Sequence, residues 1–203
     1  MAGVTPEPEI GVAARVFPGQ SVNGDAWCVH RHGGRWRIAL IDGAGHGPQA
    51  AHVAAAAVAL LDANPEWSGQ EAVTRCHLAL KGTRGAVMTV AVLEPGFDKL
   101  VVTGAGNIEA RLWTGDREQH LLTQRGMLGS NIPTIRPVEV ELGPTWILSL
   151  HSDGVRARFS LREASVAAGG GAPEIASALL RDHARTDDDA TVLVVCFNRG
   201  ASA

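Results

Sequence analysis

What most limits the folds open to this chain is the spacing of its apolar residues. Two alternating runs, Ala26 to His32 and Arg35 to Ile41, are separated by nothing but Gly33-Gly34. That is the two-residue signal of a β-hairpin. Similar runs follow at Ala86 to Leu93, Lys99 to Thr103 and Ile108 to Trp113, with turn signals at Pro95-Gly96 and Gly115-Asp116, and another precedes them at Ile10 to Phe17. Val138 to Leu142 and Trp146 to Leu150 read as one more hairpin, joined through Gly143-Pro144. Ala190 to Phe197 is apolar throughout, as in a strand covered on both faces. Helical stretches are fewer. Pro48 opens one over Gln49 to Ala63 that Asn64-Pro65 ends; a second runs from Gly69 to Leu80; a third, Pro173 to His183, follows Gly169-Gly170-Gly171. Strands outnumber helices and hairpin spacing dominates, so the chain is expected to form an α+β fold. Its sheets should be mostly antiparallel and stacked in layers with a few covering helices. No repeat or compositional break divides it, which predicts one domain over residues 1–203.

Composition narrows the function. The 203 residues carry 18 Lys+Arg against 21 Asp+Glu, a net charge of -3 without a basic block, which argues against a nucleic-acid partner. The longest apolar run, Val53 to Leu61, is about half of the roughly 20 residues a bilayer helix needs, so no membrane span is expected. Glu7 and Glu9 stand where an export signal would be basic and apolar, which predicts a cytoplasmic protein. Cys28, Cys76 and Cys196 are odd in number, far apart and without a CxxC pair. They read as small buried hydrophobes rather than a disulfide or zinc framework. Tyr is absent and aromatics make up only 4%, so the core must rest on Val, Leu, Ile and Ala.

Several aspartates share one kind of place, the end of an apolar strand beside a small residue. Asp42 follows Ile38-Ala39-Leu40-Ile41 and precedes Gly43; Asp153 follows Trp146 to Ser152 and precedes Gly154; Asp188 and Asp189 precede the closing strand; Asp25 follows Gly24 and starts another. A single Asp-Gly is commonly no more than a turn. Four such ends on one sandwich would repel one another and raise their own pKa values if they converged, unless a cation lay between them. Oxygen-only ligands select a hard ion, Mg²⁺ or Mn²⁺, over zinc. Gly43 would let the backbone come close enough to add a carbonyl oxygen.

Asn23-Gly24-Asp25-Ala26, Ile41-Asp42-Gly43-Ala44-Gly45-His46-Gly47, Ser152-Asp153-Gly154-Val155 and Asp188-Asp189-Ala190-Thr191-Val192 occur in this order. Together they resemble the metal-dependent serine/threonine protein phosphatase (PPM) family, in particular its bacterial SpoIIE-like branch and the RsbX-type stressosome phosphatases. The resemblance extends from about Ile10 to Phe197 and implies a four-layer αββα sandwich with two Mn²⁺ or Mg²⁺ ions at one edge. Carried over by position, Asp42 would bridge both ions and Gly43 would add its carbonyl. Asp153 and Asp188 would complete one ion, and Asp25 would serve the other directly or through water. The family pattern places the ligand first in Asp188-Asp189, although Asp187 stands just before them. The implied reaction is hydrolysis of phosphoserine or phosphothreonine by a metal-activated water. The implied substrate is a phosphorylated protein, such as a STAS-domain stressosome protein or an anti-sigma-factor antagonist. The chain is expected to be a monomer.

The family's animal members carry a phosphate-binding Arg a few positions upstream of the first aspartate; here that place holds Pro18-Gly19-Gln20-Ser21-Val22. Arg84 is the alternative contact, set against an ordinary surface role. His46 in the glycine-rich loop would give a proton to the leaving oxygen, or merely hold the loop. His30 and His32 share a strand face but lack a third ligand in view. Two rivals differ in class. A dinucleotide site fails because Pro48 replaces the third glycine of the fingerprint. A catalytically silent regulatory module with the same fold would have no reason to keep all four aspartates.

Overall fold

The computed structural model describes residues 6–200. Ten strands and four helices follow in the order β1 (Glu9–Arg15), β2 (Asp25–His32), β3 (Arg35–Gly43), α1 (Pro48–Ala63), α2 (Gly69–Ala79), β4 (Ala86–Leu93), β5 (Lys99–Ala105), β6 (Glu109–Trp113), β7 (Glu118–Leu121), β8 (Val138–Glu141), β9 (Thr145–His151), α3 (Leu161–Ala168), α4 (Ala172–His183) and β10 (Ala190–Asn198). They make two five-stranded sheets, β1-β10-β9-β6-β7 and β2-β3-β4-β5-β8. Every ladder is antiparallel.

The period-2 pattern sorts side chains into three apolar layers. Between the sheets lie Trp36, Ile38 and Leu40 of β3, Trp146, Leu148 and Leu150 of β9, and Leu193, Val195 and Phe197 of β10. The other face of β3, Ala39 and Ile41, meets Val53, Ala54, Ala57 and Leu61 of α1 and Val73 and Cys76 of α2. The outer face of the first sheet, with Val192 and Val194, is covered by Leu161 of α3 and Ile175, Ala176 and Leu179 of α4. The result is the expected α+β sandwich in four layers, helix–sheet–sheet–helix.

Local chemistry accounts for the elements. Gly33 and Gly34 take φ of 57° and 80°, the positive pair that a tight β2–β3 hairpin requires. Ser68 and Glu71 form a reciprocal capping box at the start of α2. Arg37, buried on the helix side of β3, donates to the carbonyls of Leu61, Asn64 and Trp67 at 2.6, 2.7 and 3.2 Å. It thereby closes the C-terminus of α1, whose last turn has no basic residue of its own.

The reading of Val138 to Leu142 and Trp146 to Leu150 as a hairpin is corrected. β8 pairs with β5 at the edge of the second sheet, whereas β9 lies between β10 and β6 in the first. Their burial explains the separation. β8 alternates, with Val138 and Val140 toward the core and Glu139 paired to Lys99 at 2.7 Å, as suits an edge. β9 is buried from Trp146 to His151, so it takes a neighbour on each side. Gly143-Pro144 carries the chain from one sheet to the other. Two elements had no place in the sequence reading: β7, which lacks an apolar alternation, and α3, although Ser160 caps it by accepting from the Glu163 amide at 3.3 Å.

Among the described residues no helix is long and apolar enough to cross a membrane. All three cysteines are free, and burial pushes their thiols up to about 12, 11 and 12 for Cys28, Cys76 and Cys196. They are therefore inert apolar fillers, as expected.

Candidate metal centre

Each aspartate reaches the site from the end of a strand. Asp25 begins β2 and Asp42 nearly ends β3, and the two face each other across the ladder in register. Asp153 follows β9, and Asp188 precedes β10, which pairs with β9. The strand ends of both sheets thus open onto one edge of the sandwich. There Asp42, Asp153 and Asp188 line a cleft of about 400 Å³ together with Phe17, Ala44, Gly45, His46, Val87, Asn107, Met127 and Asp187. Asp25 lies beside Asp42 across the ladder, half-buried, and does not line the open cleft; neither does Gly43.

The carboxylates are held by neighbours whose supporting role the motifs did not reveal. Ser152 Oγ donates to Asp25 Oδ2 at 2.7 Å and accepts from the Thr191 amide at 3.0 Å, joining β2, β9 and β10. Asn23 Oδ1 accepts from the Asp25 amide at 2.8 Å. Asn107 Nδ2 donates to Asp153 Oδ2 at 2.7 Å. Asp189, buried, accepts from the amides of Phe17 and Gly24 at 2.7 and 3.0 Å and so ties the loop before β2 to the start of β10. Of the three consecutive aspartates, Asp187 and Asp188 line the cleft and Asp189 is turned to the backbone. Gly43 has a packing role in this arrangement. Any Cβ there would run into the Ala50 carbonyl, so glycine is what lets the first turn of α1 lie against the end of β3.

Electrostatically the cluster is strained. Burial, then the charges of Asp25, Asp153, Asp188 and Asp189, push the Asp42 carboxyl up to about 8. Burial also lifts Asp25 to about 6 against the opposing bonds from Ser152 and Thr191, and Asp188 is raised by burial and by Asp153. Among the described residues no Lys, Arg or His forms an ion pair with any of them. A cluster of oxygen donors that repel one another, with no protein cation to offset them, has the chemistry of a hard divalent-cation site.

The remaining candidates separate clearly. His46 is exposed and stacks on Phe17, ring centroids 4.3 Å apart and 13° from parallel, at the rim of the cleft. The Arg84 guanidinium packs against Gly45 of the same rim. His30 joins Cys28 and Asp62 in a compact group. Its Nδ1 accepts from Arg37 at 3.3 Å, so its Nε2 carries the proton and donates to Asp62 at 2.7 Å. Both ring nitrogens are thereby used, and His32 does not join the group.

A protein-family model described as Stage II sporulation protein E (SpoIIE) matches residues 32–198. Among solved structures, one from work on the bacterial stressosome as a modular system adapted to control secondary messenger signalling is 27% identical. It covers 94% of this chain and 100% of its own, with a TM-score of 0.87. RsbX in complex with magnesium is 20% identical over 96% of this chain and 99% of its own, with a TM-score of 0.83. The PP2C phosphatase domain of SpoIIE from Bacillus subtilis is 19% identical over 94% of this chain and 63% of that chain, with a TM-score of 0.79. No curated protein matches.

Proposed function

Since this chain belongs to the SpoIIE family, with the PP2C-type phosphatase fold, we propose that it is a phosphoserine/phosphothreonine protein phosphatase dependent on two Mn²⁺ or Mg²⁺ ions. The observation that carries this reading is the convergence of Asp42, Asp153 and Asp188 on one cleft with no ion-pair partner among the described residues. Asp42, Asp153 and Asp188 would hold the ions, with the Gly43 carbonyl beside Asp42 and with Asp25 across the ladder from it, directly or through water. When bound, the ions supply Lewis-acid activation of water and offset the phosphoryl charge.

The chain's own groups do the rest. Asn107 fixes one Asp153 oxygen and leaves the other for the cleft. Ser152 orients Asp25 from behind. Asp189 anchors the loop that carries Phe17, and Phe17 in turn holds the His46 ring at the rim. His46 would there hand a proton to the departing seryl or threonyl oxygen. Arg84, beside Gly45, supplies the positive charge that receives the substrate phosphate, in place of an arginine upstream of Asp25. No side chain is needed as a nucleophile.

The physiological substrate is proposed from likeness alone: a phosphorylated STAS-domain protein or anti-sigma-factor antagonist, acted on in the cytoplasm by a monomeric single-domain enzyme. The chemistry is tested with a generic phosphomonoester, whose hydrolysis should disappear with EDTA and in Asp42→Asn. Hydrolysis that survives both would overturn it. The substrate class is tested separately by phosphate release from phosphorylated STAS-domain proteins, against an unrelated phosphoprotein turned over no more than background.

A further inference from the structure

Apart from the aspartate cleft and the Cys28–His30–Asp62 group, imidazole and carboxylate side chains also meet on the outer face of the first sheet. Along β6, β7 and β9 the inner residues, such as Leu112, Leu121 and Leu148, enter the core between the sheets. The alternate positions carry Glu109, His120 and His151. Glu109 faces His151 directly across the β6–β9 ladder, and β7 pairs with β6 on its other side. Glu109 Oε2 stands 3.5 Å from His120 Nδ1 and 3.7 Å from His151 Nε2. Neither distance makes a sound hydrogen bond.

The state of His151 gives these distances their meaning. Its side chain is 1% exposed, and its Nδ1 lies 3.2 Å from the Ser152 carbonyl oxygen, which only accepts. That nitrogen therefore carries the hydrogen, and Nε2 points a lone pair at Glu109. Nε2 and Glu109 Oε2 are both buried and without a hydrogen-bond partner. Two acceptors are thus held face to face, each buried with its hydrogen-bonding need unmet. A cation between them removes both penalties.

Each imidazole nitrogen stands from Glu109 Oε2 at close to the spacing that a shared metal imposes, while the two imidazoles themselves lie farther apart. With bonds of about 2.0–2.2 Å, two ligands on one tetrahedral zinc stand about 3.3–3.5 Å apart. A backbone carbonyl holding the far ring N–H is the outer bond that ligating imidazoles usually make. The neighbouring cation, Arg111, is matched by Glu118 at 2.9 Å, so the Glu109 charge is left for the ion. His120 is exposed on a short edge strand and has room to swing inward, and an open groove along Ile108, Leu122 and Arg125 reaches both Glu109 and His120. We propose that His120, Glu109 and His151 form a second metal site, suited to Zn²⁺ or a similar borderline ion, that ties β6, β7 and β9 together. Two imidazoles and one carboxylate distinguish it from the all-oxygen aspartate cluster.

The test is a Co²⁺ titration of the full chain in saturating Mg²⁺, which occupies a hard-oxygen site, read by visible d–d absorption. One equivalent should give an intense low-coordination spectrum that is lost in His120→Ala and Glu109→Gln and kept in Asp42→Asn. Far-UV circular dichroism verifies that each variant is folded; His120 is exposed, so its removal leaves the core intact. The proposal is overturned if no spectrum develops, if it persists in both variants, or if it vanishes in Asp42→Asn. A sulfur-to-cobalt charge-transfer band would also overturn it, by placing the ion on Cys28. Because the readout is metal binding, it stands or falls apart from phosphatase activity.

Discussion

Asp42 occupies a place that disfavours its own ionisation, since burial and four neighbouring carboxylates hold its proton up to about pH 8. The consequence for stability has a definite sign. The folded, metal-free chain binds this proton more tightly than the unfolded chain, whose carboxyl titrates near the ordinary 3.8. The stability that Asp42 contributes is therefore full below about pH 4 and is lost as the pH rises toward 8, with Asp25 adding its share between about 4 and 6. The loss is on the order of several kcal/mol. In EDTA, Asp42→Asn should melt higher than the parent at pH 8 and level with it at pH 4, measured by calorimetry. In Mn²⁺ the order at pH 8 should reverse, because the variant lacks the proposed bridging ligand. Arg84 carries the complementary expectation at the same scale. If it receives the substrate phosphate, Arg84→Ala should lower kcat/KM by about 10- to 100-fold, the value of a charge-assisted bond of about 1.5–3 kcal/mol. Its Mn²⁺ affinity by calorimetric titration should match the parent's. Unchanged kcat/KM would return Arg84 to the surface role weighed from the sequence.

At the scale of elements, the site depends on how closely α1 seats on the end of β3. Gly43→Ala forces a Cβ into the Ala50 carbonyl, and that atom is helix backbone that cannot rotate away. The helix must then lift from Ile41 and Ala39, whose burial is complete. A loss of about 2–4 kcal/mol in denaturant unfolding is expected, the scale of overpacking a tight core. Metal affinity should fall as well, since the same shift moves Asp42. The β2–β3 hairpin and the Asp42 strand end were legible because their signals are local: an alternating run, a glycine pair, a carboxylate beside a glycine. The partners of β8 and β9 were not, because pairing follows from which strand needs two neighbours, and that is decided by the assembled core. β7 has no apolar alternation to see and exists as the return of β6. α3 was visible in principle in the Ser160 and Glu163 cap. The supports of the site, Ser152 for Asp25, Asn107 for Asp153 and Asp189 for the Phe17 amide, join residues 127, 46 and 172 positions apart, beyond the reach of any local pattern.

Across the whole molecule, the two sheets are joined by an apolar layer along most of their length and by repelling carboxylates at one edge. The net charge of -3 conceals this, because the acidic excess is concentrated where β2, β3, β9 and β10 end. Divalent ions at that edge would connect ligands from both sheets, Asp42 from the second and Asp153 and Asp188 from the first, so binding and sandwich stability should be linked. A ligand that binds only the native state at 100 times its Kd adds about 2.7 kcal/mol. For a chain of this size that amounts to a rise of about 5–10 °C in Tm. Differential scanning calorimetry with increasing Mn²⁺ should show that rise in the parent chain, and only a small fraction of it in a variant carrying both Asp42→Asn and Asp153→Asn. The same double variant should melt above the parent in EDTA at pH 8, because it has shed two repelling charges. A parent Tm indifferent to millimolar Mn²⁺ would instead mean that the aspartates bind no ion, and that the chain uses the fold as a silent regulatory module.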